Sequence, residues 1–296
     1  VELLACNLCG ATDAAFLLST PDRNTQGSEL FTLVQCQRCG LIYMNPQPSA
    51  EEQSSHYDAD YAPYSPNYGG FEQGRVFTAL KSLKDRMYKP RYSEPQISLE
   101  HKKVLDFGCG GGRRMETLKK LRPNWEIFGF DVGTNQIENP NIIIGSLADL
   151  AERIPEGSLD RIYMANVLEH VSDPVVTLST LRLLLKTGGE IFIDVPNIGS
   201  IKFKVFGKYF SSLDLPRHLY HFNKKTLRGI VEKAGFSVKK LSKSGSAKST
   251  LRSIYYALGI RREKLSATGI FFITKISNLF GNVWDEDELN AIIQKV

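Results

Sequence analysis

The sequence predicts an α/β protein: a doubly wound, mostly parallel sheet preceded by a small N-terminal module. Three observations carry this. Short apolar runs of strand length alternate with helical apolar spacing between about residues 100 and 240. The first of these runs, Val104-Leu105-Asp106-Phe107, breaks into a turn with glycine at alternate positions 108, 110 and 112. Two Cys-x-x-Cys pairs, Cys6/Cys9 and Cys36/Cys39, stand apart near the start of the chain. With 296 residues there is room for a full core and a smaller module.

The first core strand spans 103–107. Arg113 to Leu121 follows the glycines with apolar residues at 115, 118 and 121, the spacing of a helix. Glycine lets backbone approach a ligand closely, and the free N–H groups of the helix start face that ligand. Trp125 to Asp131 reads as the second strand and ends in an acid 19 residues past Gly112. Ile142-Ile143-Ile144 is a short third strand, followed by Gly145-Ser146-Leu147. Leu159 to Asn166 is the fourth, continuing as Val167-Leu168-Glu169-His170-Val171. Asp173 and Pro174 suit the N-cap and first position of a helix, whose apolar face is Leu178, Leu181, Leu184 and Leu185. Lys186 to Glu190 ends that helix, and Ile191 to Pro196 is the fifth strand. A helix over 224–234 stops at Gly235.

The glycine spacing narrows the ligand. The dinucleotide fingerprint G-x-G-x-x-G is not met, because Arg113 occupies its last glycine position, and no P-loop is present. The order Asp106-x-Gly108-Cys109-Gly110-x-Gly112 resembles motif I of the class I S-adenosylmethionine (SAM) methyltransferases. Asn-Val-Leu-Glu-His-Val, Leu-Lys-x-Gly-Gly and the strand ending Pro-Asn resemble later motifs of the same superfamily, over about residues 100–240. The resemblance implies a Rossmann-like methyltransferase sheet. It also implies a loop around the methionine end of SAM, made by Asp106, Phe107, Gly108, Cys109, Gly110 and Gly112. Asp106 suits the ammonium and sulfonium charges of SAM. An acid at the tip of the second strand accepts ribose hydroxyls, the role expected of Asp131 beside Val132. Ser146 and Leu147 are expected to flank the adenine, and Asn166 and Tyr61 to complete the donor site. Cys109 reads as a small residue packed behind the donor rather than a nucleophile.

The spacing C-x₂-C, 26 residues, C-x₂-C is a zinc signature. Each pair is followed by a glycine that frees the turn to aim N–H groups at the sulfurs. Four thiolates fill a tetrahedral ion, so Cys6, Cys9, Cys36 and Cys39 are expected to hold structural Zn²⁺ in a zinc-ribbon-like module. A redox pair needs only one such motif, and disulfides do not suit the cytosolic character of the rest.

The expected organisation is a zinc-binding module at 1–48, a Tyr-rich connector and helix acting as a lid at 49–100, a SAM-binding core at 101–245 and a helical, apolar extension at 246–296. Residues 51–70 hold Tyr57, Tyr61, Tyr64 and Tyr68, placed to wall a ligand. A zinc module, Asn-Pro-x-Pro, a Tyr-rich connector and a SAM domain together resemble a bacterial methyltransferase branch acting on sugars and glycans. Its C-methylating members carry a further C-terminal domain for which this chain is too short, so simple O- or N-methylation is expected, with oxygen the leading acceptor atom. Asp214-Leu215-Pro216-Arg217-His218-Leu219-Tyr220-His221-Phe222 is the densest polar cluster after the fifth strand. His218 and His170 are the candidate general bases for an acceptor hydroxyl, with acids Glu169, Asp194 and Asp214 nearby in sequence. Arg217, His221 and Tyr64 are the candidate acceptor-binding residues, Arg217 by bidentate bonds to an acidic or phosphorylated group.

The net charge of +5 is uneven. Residues 200–296 carry 18 Lys/Arg against 7 Asp/Glu, whereas the first 199 carry 19 against 25. A basic final third suits a phosphorylated acceptor, an anionic membrane face or nucleic acid. No run is long and apolar enough to span a membrane, and no leader pattern is seen. Cytoplasmic placement is expected, with the apolar stretch 268–280 a candidate for peripheral contact with the inner membrane face. The leading expectation is methyl transfer to a small-molecule or glycan-type acceptor. The alternatives are an RNA-base methyltransferase and an inactive SAM-fold scaffold. Oligomeric state is not legible.

Overall fold

The computed structural model describes residues 4–24, 28–57, 101–133, 139–245, 247–259 and 286–296. Tyr61, Tyr64 and Tyr68, the helix expected over 71–92 and the apolar stretch 268–280 lie outside the described residues.

The elements alternate as expected through the core. Strand β4 (Lys103–Phe107) leads through the glycine turn into α2 (Arg113–Leu121), then β5 (Glu126–Asp131), β6 (Ile142–Ile144), α3 (Leu147–Arg153), β7 (Leu159–Ala165), α4 (Pro174–Leu184) and β8 (Leu185–Pro196). After a short helix α5 (Ile201–Phe206) come β9 (Tyr220–His221), α6 (Lys224–Lys233), β10 (Phe236–Ser244), α7 (Ala247–Leu258) and β11 (Glu288–Lys295). Seven of these strands form one sheet in the order β10-β11-β8-β7-β4-β5-β6. Pairs from β8 to β6 are all parallel, and β11 runs antiparallel to both neighbours. From β4 the chain winds first towards β6 and then towards β8. The carboxyl ends of β4 and β7 therefore flank a topological switch point, where such sheets bind ligands.

Local chemistry sets these elements. Val104 and Leu105 of β4 are fully buried, as a strand covered on both faces requires. Asp173 accepts the N–H groups of Val175 and Val176 at 2.9 Å each, with Pro174 next to it, so α4 starts where the cap chemistry placed it. A cap of this kind is worth about 1 kcal/mol. Asn223 caps α6 with Thr226, and Gly235 follows its end at φ 83°.

Two expectations change. Lys186 to Glu190 does not close a helix; α4 stops at Leu184 and β8 begins at Leu185. The register with β7 jumps from Leu159↔Leu185 to Arg161↔Glu190, so the glycines form a bulge within the strand. The segment after 245 is also not simply an apolar helical extension. It ends in β11, whose Leu289, Ala291 and Ile293 are buried inside the sheet at alternate positions.

A second sheet is built from β1 (Ala14–Pro21), β2 (Leu30–Cys36), β3 (Ile42–Met44) and β9. Its fourth strand comes from the far side of the core: Ile42 pairs with His221 and Tyr43 with Tyr220. The N-terminal residues therefore share a sheet with the segment that carries the histidines. Tyr220 Oη reaches Asn7 Oδ1 at 2.7 Å and Ser172 O at 2.9 Å. Leu8 seats on α6 where a Cβ at Gly229 would stand 3.0 Å from its Cδ1. The connector begins as α1 (Ala50–Ser55), opened by a capping box of Ser49 and Glu52.

Candidate active site

The glycine turn takes the conformations its sequence requires. Gly108, Gly110 and Gly112 have φ of 74°, 49° and 75°. At Gly108 a Cβ would also fall 2.4 Å from Val167 Cγ2, so the loop lies directly against the segment leaving β7. Gly129 in β5 is needed for closeness: a Cβ there would stand 2.5 Å from Met115 Sδ and 2.8 Å from Cys109 Sγ. The Gly108 and Cys109 N–H groups donate to Phe130 O at 2.7 and 3.0 Å. Asp131 binds the same loop through its side chain, accepting from Gly110 N at 2.8 Å and from Gly133 N at 2.9 Å.

Asp106 is buried at the end of β4, with Arg114 Nη1 3.2 Å from its Oδ1. Burial raises its pKa to about 6, against the lowering effect of Arg114. Arg114 was missed by sequence reasoning; its place in the first turn of α2, eight residues after Asp106, was the signal. The Cys109 thiol is pushed up to about 12 by burial and then by the charges of Asp106 and Asp131, which removes it as a thiolate nucleophile. Val132 is exposed at the rim. Asn166 sits at the end of β7 with φ 53°, its N–H on Asp194 O at 2.8 Å. Ser146 is exposed and caps α3, exchanging hydrogen bonds with Asp149, while Leu147 is half-buried beside it.

Just beyond Asn166, three imidazoles gather. The His170 and His218 rings meet edge to face with centroids 4.5 Å apart, and His221 lies 6.2 Å beyond His218. His218 Nδ1 is 3.0 Å from Ser212 O, and a carbonyl only accepts, so Nδ1 carries the hydrogen and Nε2 keeps its lone pair. His170 Nδ1 lies 3.0 Å from Arg217 O and 2.9 Å from Tyr57 Oη, and Gln53 of α1 donates to His170 O at 2.9 Å. Burial lowers all three imidazoles, His170 and His221 to about 4, so they are neutral at pH 7. Glu169 is completely buried beside them. Burial drives its pKa well above the usual carboxylate range, and neither oxygen has a hydrogen-bond partner among the described residues.

Two acceptor-binding expectations are corrected here. Arg217 is 1% exposed, and its guanidinium is engaged within the protein. It forms a bidentate pair with Asp22 at 2.8 Å on both arms, bonds Asp214 Oδ1 at 2.7 and 3.0 Å, and reaches His56 O at 3.2 Å. No arm is left for an acidic acceptor. His221 is likewise inside, donating from Nε2 to Leu213 O at 3.1 Å. Asp194 is also structural, accepting from Asn290 Nδ2 at 2.6 Å.

The four expected cysteines converge at the other end of β9. Their sulfurs lie within 4.8 Å of one another, Cys6 3.4 Å from Cys39 and Cys9 3.5 Å from Cys36. The two pairs form matching knuckles: Gly10 N donates to Cys6 O, and Gly40 N to Cys36 O. Burial raises the Cys36 thiol, but the N–H groups of Cys39 and Arg38 outweigh it and hold it at about 7. Four reduced thiols in this arrangement fit a tetrahedral soft-ligand ion.

Comparison with known proteins decides the family. The profile described as a methyltransferase domain matches residues 73–241. The chain belongs to the SAM-dependent methyltransferases. Among curated relatives of this methyltransferase, the ubiquinone biosynthesis O-methyltransferase of Pseudomonas aeruginosa is 30% identical over 144 residues, 44% of this chain and 61% of the relative. That of Saccharophagus degradans is 28% identical over 149 residues, 46% of this chain and 62% of the relative. The alignments thus span about three-fifths of each relative. Among solved structures, phosphoethanolamine N-methyltransferase 2 of Haemonchus contortus superposes with a TM-score of 0.51 at 13% identity, covering 94% of this chain and 71% of that one. It supports the Rossmann-like methyltransferase fold. Among the described residues, no helix is long and apolar enough to cross a membrane.

Proposed function

We propose that this methyltransferase moves the methyl group of SAM to an oxygen of a small-molecule or glycan-type acceptor, with His218 accepting the hydroxyl proton. The observation that carries the reading is the orientation of His218, whose Nδ1–H is tied to Ser212 O so that Nε2 presents a lone pair. It stands beside Glu169 and His170, which come just after Val167, the residue packed against Gly108. The chain's similarity to the ubiquinone biosynthesis O-methyltransferases supports transfer to oxygen. SAM supplies an electrophilic methyl group on a sulfonium. As the acceptor oxygen bonds to that carbon the C–S bond breaks, and the proton passes to His218 Nε2. Holding donor and acceptor in line supplies most of the acceleration, and the base adds to it.

In this reading Asp131 holds the ribose, the turn from Phe107 to Gly112 holds the methionine end, and Asp106 faces its ammonium. Ser146 and Leu147 would flank the adenine, Val132 would stand beside Asp131, and Asn166 would complete the donor site. Asp106 is protonated below about pH 6, and only the carboxylate attracts a cation. SAM binding should therefore tighten by up to about tenfold per pH unit as pH rises towards 6, and level off above it. Calorimetric titration from pH 5 to 7.5 measures this; a flat profile removes Asp106 from the ammonium. For the acceptor, the test is SAM turnover on nucleotide sugars, glycolipids, simple phenols and RNA. Methylation of RNA alone would reject the reading.

We also propose that Cys6, Cys9, Cys36 and Cys39 hold structural Zn²⁺. The ion would fix both knuckles, and through β3 it would fix the strand β9 that follows His218. Metal analysis should return one zinc per chain. Its removal by a strong chelator should abolish acceptor turnover while SAM still binds the core. Full turnover in demonstrably zinc-free protein would overturn this role.

A further inference from the structure

Glu169 poses a problem that methyl transfer does not solve. Its carboxyl group is wholly buried, both oxygens lack hydrogen-bond partners among the described residues, and it points among imidazoles. A buried polar group in that state is costly unless something fills the gap. One donor atom each from Glu169, His170 and His218 lies within 4.8 Å of the other two. Glu169 Oε1 is 3.9 Å from His218 Nε2, and donors sharing one ion at about 2.1 Å stand roughly 3 to 4 Å apart. Both rings are already steered from behind, His218 by Ser212 O and His170 by Arg217 O, the carbonyl support that metal-bound histidines usually have. The surrounding charge also suits a cation. Asp214 Oδ2 lies 3.7 Å from His218 Nε2, and Asp22 and Asp214 together outweigh the single guanidinium between them.

We propose that Glu169, His170 and His218 form a second metal site, separate from the four thiols, for a first-row transition-metal dication. Two nitrogens and one carboxylate select such an ion over magnesium or calcium, which prefer all-oxygen sets. The consequence for activity rests on His218 being the proton acceptor. Its Nε2 lone pair serves either the ion or the acceptor proton, so the loaded site is the inactive state of the enzyme.

The test is a Co²⁺ titration of the zinc-loaded protein, read by visible absorption. The expected result is one further Co²⁺ per chain, with ligand-field bands of nitrogen and oxygen ligation and no thiolate charge-transfer band. Glu169→Gln and, separately, His170→Gln should weaken that binding by at least about tenfold, the loss seen even for outer partners of metal ligands. Unchanged SAM affinity certifies that each variant is folded. Turnover of the parent protein should fall in step with the second equivalent. No second equivalent, cobalt held only by thiolates, or equal binding by both variants would overturn the site. Binding without inhibition would keep the site and remove His218 as the base.

Discussion

His218→Ala should lower kcat by about 100- to 10,000-fold while SAM affinity stays unchanged, the range found when a positioned general base is lost. The side chain also anchors the loop through Ser212 O, so loss of activity alone would not separate chemistry from packing. His218→Asn makes the separation. An asparagine amide can replace Nδ1–H as the donor to Ser212 O but offers no basic nitrogen at the Nε2 position. If His218 takes the proton, both variants are equally slow. Recovery of activity in the asparagine variant would show that the ring only holds the loop.

The second large effect is on stability. Arg217→Ala should cost about 3 to 5 kcal/mol, because it leaves the buried carboxylate of Asp22 and the neighbouring Asp214 without their counter-charge. Urea denaturation measures the loss. Arg217→Lys should recover only part of it, since an ammonium cannot reproduce the bidentate fork to Asp22 and the bonds to Asp214 together. A loss below about 1 kcal/mol would mean that water replaces the guanidinium and that the cluster is not a structural centre.

The glycine turn and the elements around it were legible because their signals are local. A strand, a glycine turn and a helix cap are written within a few neighbouring residues, so Gly108, Asp131 and Asp173 fell where spacing placed them. The acceptor half was not legible, because its decisive contacts join distant parts of the chain. Arg217 reads as a ligand-binding side chain until Asp22, 195 residues away in sequence, occupies it. Tyr220 and His221 form too short a strand to notice, and only pairing with β3 gives them one. Glu169 stood in view beside His170, yet nothing in sequence shows that both its oxygens are left without partners among the described residues. At the end of the chain, the alternation of Leu289, Ala291 and Ile293 was a strand signal, outweighed by the apolar run before it.

The position of β11 has a consequence for how the protein is made. It follows both β8 and β10 in sequence, yet it lies between them in the sheet. While the ribosome is still translating towards residue 288, β8 and β10 each present an open row of backbone donors and acceptors. Such rows recruit other strands, including those of neighbouring nascent chains. The central sheet can therefore close only after residues 288–295 have been made, and a message cut short before this strand yields an aggregation-prone product even though the glycine turn and the helices around it have been translated.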